Sequence, residues 1–243
     1  MSSPQSALVT GPRHPSPHLG ALGIAFTLLF LAGLFPVTIF GGKPYFPGPW
    51  QPAAAIVAFF QARSSAVSLC ALLQFGSAIP LGIFTASIVS RLEFFGIRAA
   101  GPRIALFGGF ATVFMMMSNA AVLYAMAQPA VALSQEAITA LYYLGFALGG
   151  PAYSVSFGLL MAGVSVPLLF RRLVPRWIPI FGLVLAAIGE LSWLNLKFPQ
   201  ALPLVPLTRF PGFVWIVAVG FALRSSTPRP VNRARETPVN EKE

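Results

Sequence analysis

The chain has 243 residues, of which 56% are hydrophobic and only 9% are charged, with a formal net charge of +10. A soluble domain carries roughly 25% charged residues, so this composition excludes a water-facing surface of ordinary size. The sequence has no aspartate, and its two histidines, His14 and His18, precede the first apolar stretch. The apolar part of the chain therefore lacks the residues that aspartyl, serine–histidine or zinc catalysis requires. We expect a protein that is not an enzyme and has no metal ions or other cofactors.

Apolar stretches of about 20 residues recur along the chain, and each predicts a transmembrane helix, because about 30 Å of hydrocarbon requires that length. We predict an all-α, polytopic bundle with about six spans, at about 19–40, 67–89, 104–126, 139–170, 177–196 and 209–223. The polar composition of residues 1–18 predicts a disordered leader, and that of residues 224–243 predicts a disordered basic, polar tail. Residues 19–223 then form a single transmembrane domain.

The loop between the first two spans, residues 41–66, begins with a segment rich in glycine and proline that cannot form a regular helix. Tyr45, Phe46 and Trp50 in this segment are aromatics typical of the membrane interface. Apolar residues then recur at helical spacing at Ile56, Phe59 and Phe60. This pattern predicts an interfacial helix outside the cytoplasm, and a simple helix-loop fits it equally well.

The fourth apolar stretch is too long for one unbroken perpendicular helix and contains Gly149, Gly150 and Pro151 near its middle. Proline removes a backbone hydrogen bond and glycine weakens the turn before it, so we predict a kink or break here. Transporters use such breaks to hold substrates, whereas a kink that fits neighbouring helices together is the structural alternative. Gly145 and Gly149 also match the GxxxG pattern of close helix packing.

The basic residues predict the orientation of the bundle. With both termini in the cytoplasm, the outer side holds only Lys43, Arg63, Lys197 and Arg209, and the cytoplasmic side holds all other lysines and arginines. The short inner loops are then expected to attract the anionic lipids of the inner membrane surface. The tail carries five basic residues and three glutamates, and this small positive excess argues against nucleic acid as a partner.

Glu190 is the single carboxylate inside a predicted span. An unpaired, ionised acid at that depth costs several kcal/mol, so Glu190 is expected to be neutral, paired or facing a wet cavity. Lys197 lies two helical turns further on and could fold back towards it. The functional interpretation is a ligand, ion or proton site, and the structural one is a hydrogen bond between helices.

Gln74 and Asn119 lie in the second and third spans at about the same depth as Glu190, roughly 10 Å beneath the outer surface. A shared polar pocket of Glu190, Gln74 and Asn119 is therefore predicted, provided that the second and fifth spans face each other. Cys70 cannot form an internal disulfide because it is the only cysteine, and it is expected to be a small buried residue.

Three segments resemble a family of small bacterial integral membrane proteins that is uncharacterised and described as a domain of unknown function. They are residues 73–84 (LQFGSAIPLGIF), 189–192 (GELS) and 209–213 (RFPGF). The resemblance covers about residues 60–224. It implies a six-helix protein of the bacterial inner membrane and supplies no activity or catalytic residue.

These observations favour a multi-pass membrane protein that binds or transports a small molecule or ion through a polar pocket near the outer face. The alternative is a non-catalytic scaffold or partner subunit that presents its basic loops to lipids or to another protein. An oligomer is compatible with either function, because six helices make a small transporter. Nothing in the chain matches a nucleotide-binding, metal-binding or hydrolase motif.

Overall fold

The computed structural model describes residues 16–225, which form helices, turns and loops without a β-strand. The predicted all-α fold is confirmed for this part of the chain. Most of the predicted leader and tail, residues 1–15 and 226–243, lies outside the described residues. Of the two histidines, His18 is described, and its Nδ1 accepts a hydrogen bond from the backbone N–H of Ala21, which caps the first helix.

Six helical segments are long and apolar enough to cross a membrane, as predicted: Leu19–Val37, Ser64–Phe94, Gly101–Met126, Gln135–Arg171, Trp177–Leu196 and Pro199–Leu223. The chain is therefore a multi-pass membrane protein. The α-helices within and between these segments are α1 (Leu19–Leu34), α2 (Ala53–Ala62), α3 (Ser64–Phe94), α4 (Gly101–Met126), α5 (Pro129–Ala132), α6 (Gln135–Ala147), α7 (Tyr153–Arg171), α8 (Trp177–Leu191) and α9 (Leu204–Ser225).

The spanning helices form a closed ring in which α1 packs on α3, α3 on α4, α4 on α7, α7 on α8, α8 on α9, and α9 again on α1. The rings of His18 and Phe221 lie 5.4 Å apart, so both ends of the described chain meet at one end of the bundle. The interior is filled by large side chains such as Phe26, Phe84 and Trp215. The outer surface is apolar as well, which suits contact with lipid, and exposes Leu28, Leu72, Phe107, Phe114 and Val214.

Small residues bring α4 and α7 into backbone contact. A Cβ atom added to Gly108 would lie 2.5 Å from the backbone nitrogen of Leu160, and one added to Gly163 would lie 2.6 Å from the carbonyl oxygen of Gly101. Helix pairs in membranes commonly gain their packing energy in this way, because lipid provides little hydrophobic drive for association. The tight α4–α7 contact fixes the position of the segment between α6 and α7.

The two ends of the bundle differ in charge and in covering. At the end where both ends of the described chain lie, Arg171 donates a hydrogen bond to the carbonyl of Gly96 over 3.3 Å and joins the α3–α4 loop to the end of α7. We call this the basic end. The opposite end carries α2 and the irregular chain before it. We call residues 38–50 the cover segment.

The cover segment is fixed by hydrogen bonds to side chains of the helices. Arg63, between α2 and α3, donates to the carbonyls of Pro36 and Gly41 over 2.6 and 2.7 Å. Tyr142 of α6 donates to the carbonyl of Pro47 over 2.7 Å. The predicted helix after this segment is present as α2, and its Ile56, Phe59 and Phe60 are buried against the bundle.

The last span begins earlier than the sequence predicts. The predicted start at residue 209 avoided Pro203 and Pro206, but α9 begins at Leu204. Pro206 lies in its first turn, where backbone N–H groups have no acceptor within the helix. The missing N–H of proline therefore costs no hydrogen bond there. Arg209 consequently lies more than one turn inside α9 instead of at its first residue.

Candidate ligand-binding cavity

A cavity of about 370 Å³ lies inside the ring, beneath the cover segment. This volume is near the lower end of the roughly 300–1,000 Å³ that is typical of small-molecule sites. Its walls are mainly apolar and aromatic, with contributions from α1, α3, α4, α6, α7, α9 and the cover segment. The aromatic residues are Phe30, Phe46, Trp50, Tyr142, Phe146, Tyr153 and Phe210, and the polar side chains beside the tyrosines are Thr38, Gln74, Asn119 and Arg209.

One wall of the cavity is a π-helical turn, Leu148–Ala152, which joins α6 to α7. Pro151 has no backbone N–H, so the α-helical hydrogen bond to residue 147 cannot form. The N–H of Tyr153, which would reach Gly149 in an α-helix, donates to the carbonyls of Leu148 and Gly150 instead. The predicted break at Gly149, Gly150 and Pro151 is therefore this turn, and it diverts the Gly149 carbonyl from the α-helical ladder.

Gly149 also permits the close approach of α4. A Cβ atom at this position would lie 2.8 Å from Cγ of Asn119, closer than real side chains come. Gly145, one turn earlier, faces Asn119 and Val122 in the same way. The GxxxG pair is therefore used for packing within the chain.

Arg209 binds the carbonyl that the π-helical turn diverts. Its Nη2 donates a short hydrogen bond to the carbonyl oxygen of Gly149. Its guanidinium carbon lies 4.7 Å from the ring centre of Tyr153 and 5.6 Å from that of Phe30, within the range of cation–π attraction. These contacts hold the positive charge at the wall of the cavity.

The charge of Arg209 has no carboxylate to balance it in the described part of the chain. Glu93, Glu136 and Glu190 are the carboxylates there, and none of them forms an ion pair with Arg209. A guanidinium carries five N–H donors, of which Gly149 accepts one. Nε is buried and has no hydrogen-bond acceptor among the described residues.

Of the three residues in the predicted polar pocket, Gln74 and Asn119 lie together in the cavity wall. Nδ2 of Asn119 donates to Oε1 of Gln74 over 3.5 Å, and Nε2 of Gln74 contacts Sγ of Cys70 at 3.4 Å. Cys70 is buried, as expected. The contact between the two amides is long, and each amide has hydrogen-bonding groups beyond these two contacts, so both retain capacity to bind a polar group in the cavity.

Glu190 does not belong to this group. It is absent from the cavity wall, and it faces α7, where its Oε1 would lie 3.1 Å from a Cβ atom added to Gly158. That oxygen is buried without a hydrogen-bond partner in the described chain. Lys197 is exposed and forms no ion pair with Glu190 among the described residues. The rotation of α8 about its axis explains the difference, because depth in the membrane leaves this rotation undetermined.

The polar residue that sequence reasoning missed is Arg209. The sequence predicts it at the outer end of the sixth span, as the first residue, because prolines crowd the segment before it. The available signal was Pro206, which is compatible with the first turn of a helix that begins before it.

A second, more open groove lies on the outer surface between α3 and α4. Its walls include Leu69, Leu72, Phe75, Ala120 and Tyr124, and no charged side chain lines it. Ser64, Ser65, Ser68 and Gln128 add polar groups at its edge, but it is more open than the central cavity and contains no charged group that would select a ligand. The central cavity, which contains Arg209, is therefore the candidate site.

The fold and the cavity together define a multi-pass helical membrane protein with a partly open, amphipathic chamber. Comparison with protein-family models, with curated proteins and with solved structures finds no match to this chain. The resemblance to a bacterial membrane-protein family thus stays a prediction from sequence.

Proposed function

We propose that this protein binds a small molecule in the central cavity and does so without catalysing a reaction on it. The observation that carries this proposal is the unbalanced cation, Arg209, in the wall of a partly open and otherwise mainly apolar chamber. Ionisable residues at such positions in membrane proteins are costly and are usually retained for function. The apolar walls and the amides of Gln74 and Asn119 suit a ligand with both apolar and polar parts.

We further propose that the cover segment controls access to the cavity. Thr38, Phe46, Pro47 and Trp50 of this segment line the chamber, and Arg63 and Tyr142 hold the segment in place from the helices beneath it. Movement of the cover segment would open the cavity on its own side of the membrane. This arrangement is compatible with a binding protein and with the outward-open half of a transport cycle.

The charge distribution supports an orientation with the basic end in the cytoplasm and the cover segment outside. The residues that favour it are Arg91, Arg98 and Arg103 near the α3–α4 loop and Arg171, Arg172 and Arg176 near the α7–α8 loop. Each basic residue close to an anionic membrane surface adds about 1 kcal/mol of attraction. The family resemblance makes the bacterial inner membrane the proposed location.

The proposal is tested by filling the cavity from Gly150, which lines it and around which an added Cβ atom would meet nothing within 4 Å. Gly150→Leu places a side chain in the chamber. Gly150→Ala imposes the same backbone restriction before Pro151 but fills little space. Gly76→Leu adds the same side chain on α3 at another open position, outside the cavity wall.

The measurement is native mass spectrometry of the four proteins, each extracted from membranes in lipid nanodiscs. We expect wild type, Gly150→Ala and Gly76→Leu to carry one discrete small-molecule adduct that Gly150→Leu lacks. Identical spectra with only scattered lipid adducts would contradict ligand binding. They would favour the alternative function, a non-catalytic scaffold or partner subunit that uses the basic end.

A further inference from the structure

The charge of the cavity limits the charge of its ligand. Arg209 is the only charged side chain among the residues that the structure places in the cavity wall. A ligand with one negative charge would balance it in an environment where an unpaired charge is expensive. A phosphate monoester carries about −1.5 to −2 charges at neutral pH and would leave the excess unbalanced. The charge therefore favours a monoanion.

The guanidinium also limits the shape of the anionic group. The rings of Tyr153 and Phe30 lie within cation–π range of it, and Gly149 accepts from Nη2. The remaining terminal N–H groups lie in the guanidinium plane. A carboxylate matches this planar edge with two parallel hydrogen bonds, which is the geometry in which arginine binds anions most strongly.

The rest of the chamber limits the body of the ligand. Most of its wall is apolar or aromatic, and the amides of Gln74 and Asn119 are its principal other hydrogen-bonding groups. An aromatic or short aliphatic body packs against such walls, and a polar substituent on it can pair with the two amides and with the Tyr153 hydroxyl, which is buried without a hydrogen-bond partner among the described residues. Gly149 contacts both Asn119 and Arg209, so the amide wall and the cation are neighbours.

We infer that the ligand is an amphipathic monocarboxylate, with its carboxylate on the Arg209 guanidinium and its apolar body against the aromatic wall of the cavity. This inference rests on the proposed function, because it specifies the ligand of the same cavity. It requires no bond to form or break in the ligand.

The test uses two probes of nearly equal shape, naphthalene-2-carboxylate and the neutral naphthalene-2-carboxamide, titrated by calorimetry into the full-length protein in nanodiscs. Wild type is expected to bind the carboxylate at least about tenfold more tightly, since a hydrogen bond to a charged group is stronger than a neutral one. Arg209→Gln is expected to bind both probes equally. Arg103→Gln, which removes an exposed arginine from α4 at the basic end, is expected to keep the preference.

The wild-type preference and its loss in Gly150→Leu together decide the inference, so it remains falsifiable if Arg209→Gln does not fold. Equal affinity of wild type for both probes, with both lost in Gly150→Leu, would overturn the carboxylate ligand and leave the cavity function standing. A failure of wild type to bind either probe would overturn the inference, while the mass-spectrometric comparison with Gly150→Leu would still decide the proposed function. A preference that persists in Gly150→Leu would place the anion outside the cavity and would also contradict it.

Discussion

Arg209 is the residue on which the account of this protein depends. It lies within a spanning segment, where a charge without a partner is expensive. The Gly149 carbonyl and the rings of Tyr153 and Phe30 supply partial negative charge, but none of these groups is an anion. The residual cost is the physical reason to expect an anionic ligand in the cavity.

Glu190 provides a test of the distinction between the cavity and its surroundings. Because Glu190 packs against Gly158 and does not line the cavity, Glu190→Gln is expected to change ligand affinity by less than about twofold. Its buried oxygen has no hydrogen-bond partner in the described chain, so the amide is expected to stabilise the fold by up to about 1 kcal/mol. Calorimetric titration and denaturant unfolding measure the two effects.

Glu93→Gln is the matched control for this substitution, because Glu93 is exposed near the end of α3. Little change in either quantity is expected there. A loss of ligand binding in Glu190→Gln with retained stability would show that the carboxylate acts on the cavity, against the present account.

A comparison of Glu190 with Gln74 and Asn119 indicates which parts of the site can be predicted from sequence. Hydropathy gave the depth of Gln74, Asn119 and Glu190, but only the packing of the helices determines which sides face inwards. Gln74 and Asn119 lie on the adjacent helices α3 and α4. Their side chains meet when each helix is rotated about its own axis so that its polar residue faces the other. Glu190 required α3 and α8 to face each other across the ring, and no sequence signal specifies that.

At the scale of elements, the π-helical turn and the cover segment together create the cavity. The turn was predictable as a break because Gly149, Gly150 and Pro151 have strong local preferences. The role of the turn in binding Arg209 was not predictable, because Gly149 and Arg209 are 60 positions apart in sequence. The cover segment was predictable as irregular, whereas its fixation by Arg63 and Tyr142 depends on tertiary contacts.

The cover segment leads to a prediction for Tyr142, whose hydroxyl binds the carbonyl of Pro47 from α6. Tyr142→Phe removes this buried hydrogen bond and is expected to lower the free energy of unfolding by about 1–2 kcal/mol. The ligand is expected to dissociate several-fold faster because the cover segment is held less firmly. Stopped-flow fluorescence of Trp50, which lines the cavity, reports the dissociation rate.

Tyr143→Phe removes the neighbouring hydroxyl, whose side chain is half-exposed, and serves as the control. Its dissociation rate is expected to match wild type. Equal rates in both variants would show that the cover segment does not limit ligand release.

At the scale of the whole molecule, the closed ring of helices follows the order of six apolar segments along the chain. Apart from residues 38–63 between the first two, consecutive spans are joined by short loops, so they pack as antiparallel neighbours. The order of the ring was therefore within reach of the sequence. The closure of α1 on α9 required the contacts of Gly20 and Gly220, which sequence reasoning did not single out.

The proposed orientation is tested with single-cysteine variants in a Cys70→Ala background. Lys43→Cys lies in the exposed cover segment and Arg98→Cys in the exposed α3–α4 loop. A membrane-impermeant maleimide added to intact bacterial cells is expected to label Lys43→Cys at once and Arg98→Cys only after permeabilisation. The reverse pattern would place the basic end outside the cell and would contradict the charge rule for this chain.

A crystal structure of the protein grown from a lipid phase with naphthalene-2-carboxylate tests the Arg209 site most directly. The naphthalene ring is expected within the aromatic wall, with a carboxylate oxygen within about 3 Å of the Arg209 guanidinium. An occupied outer groove between α3 and α4 beside an empty or collapsed central cavity would contradict binding at Arg209.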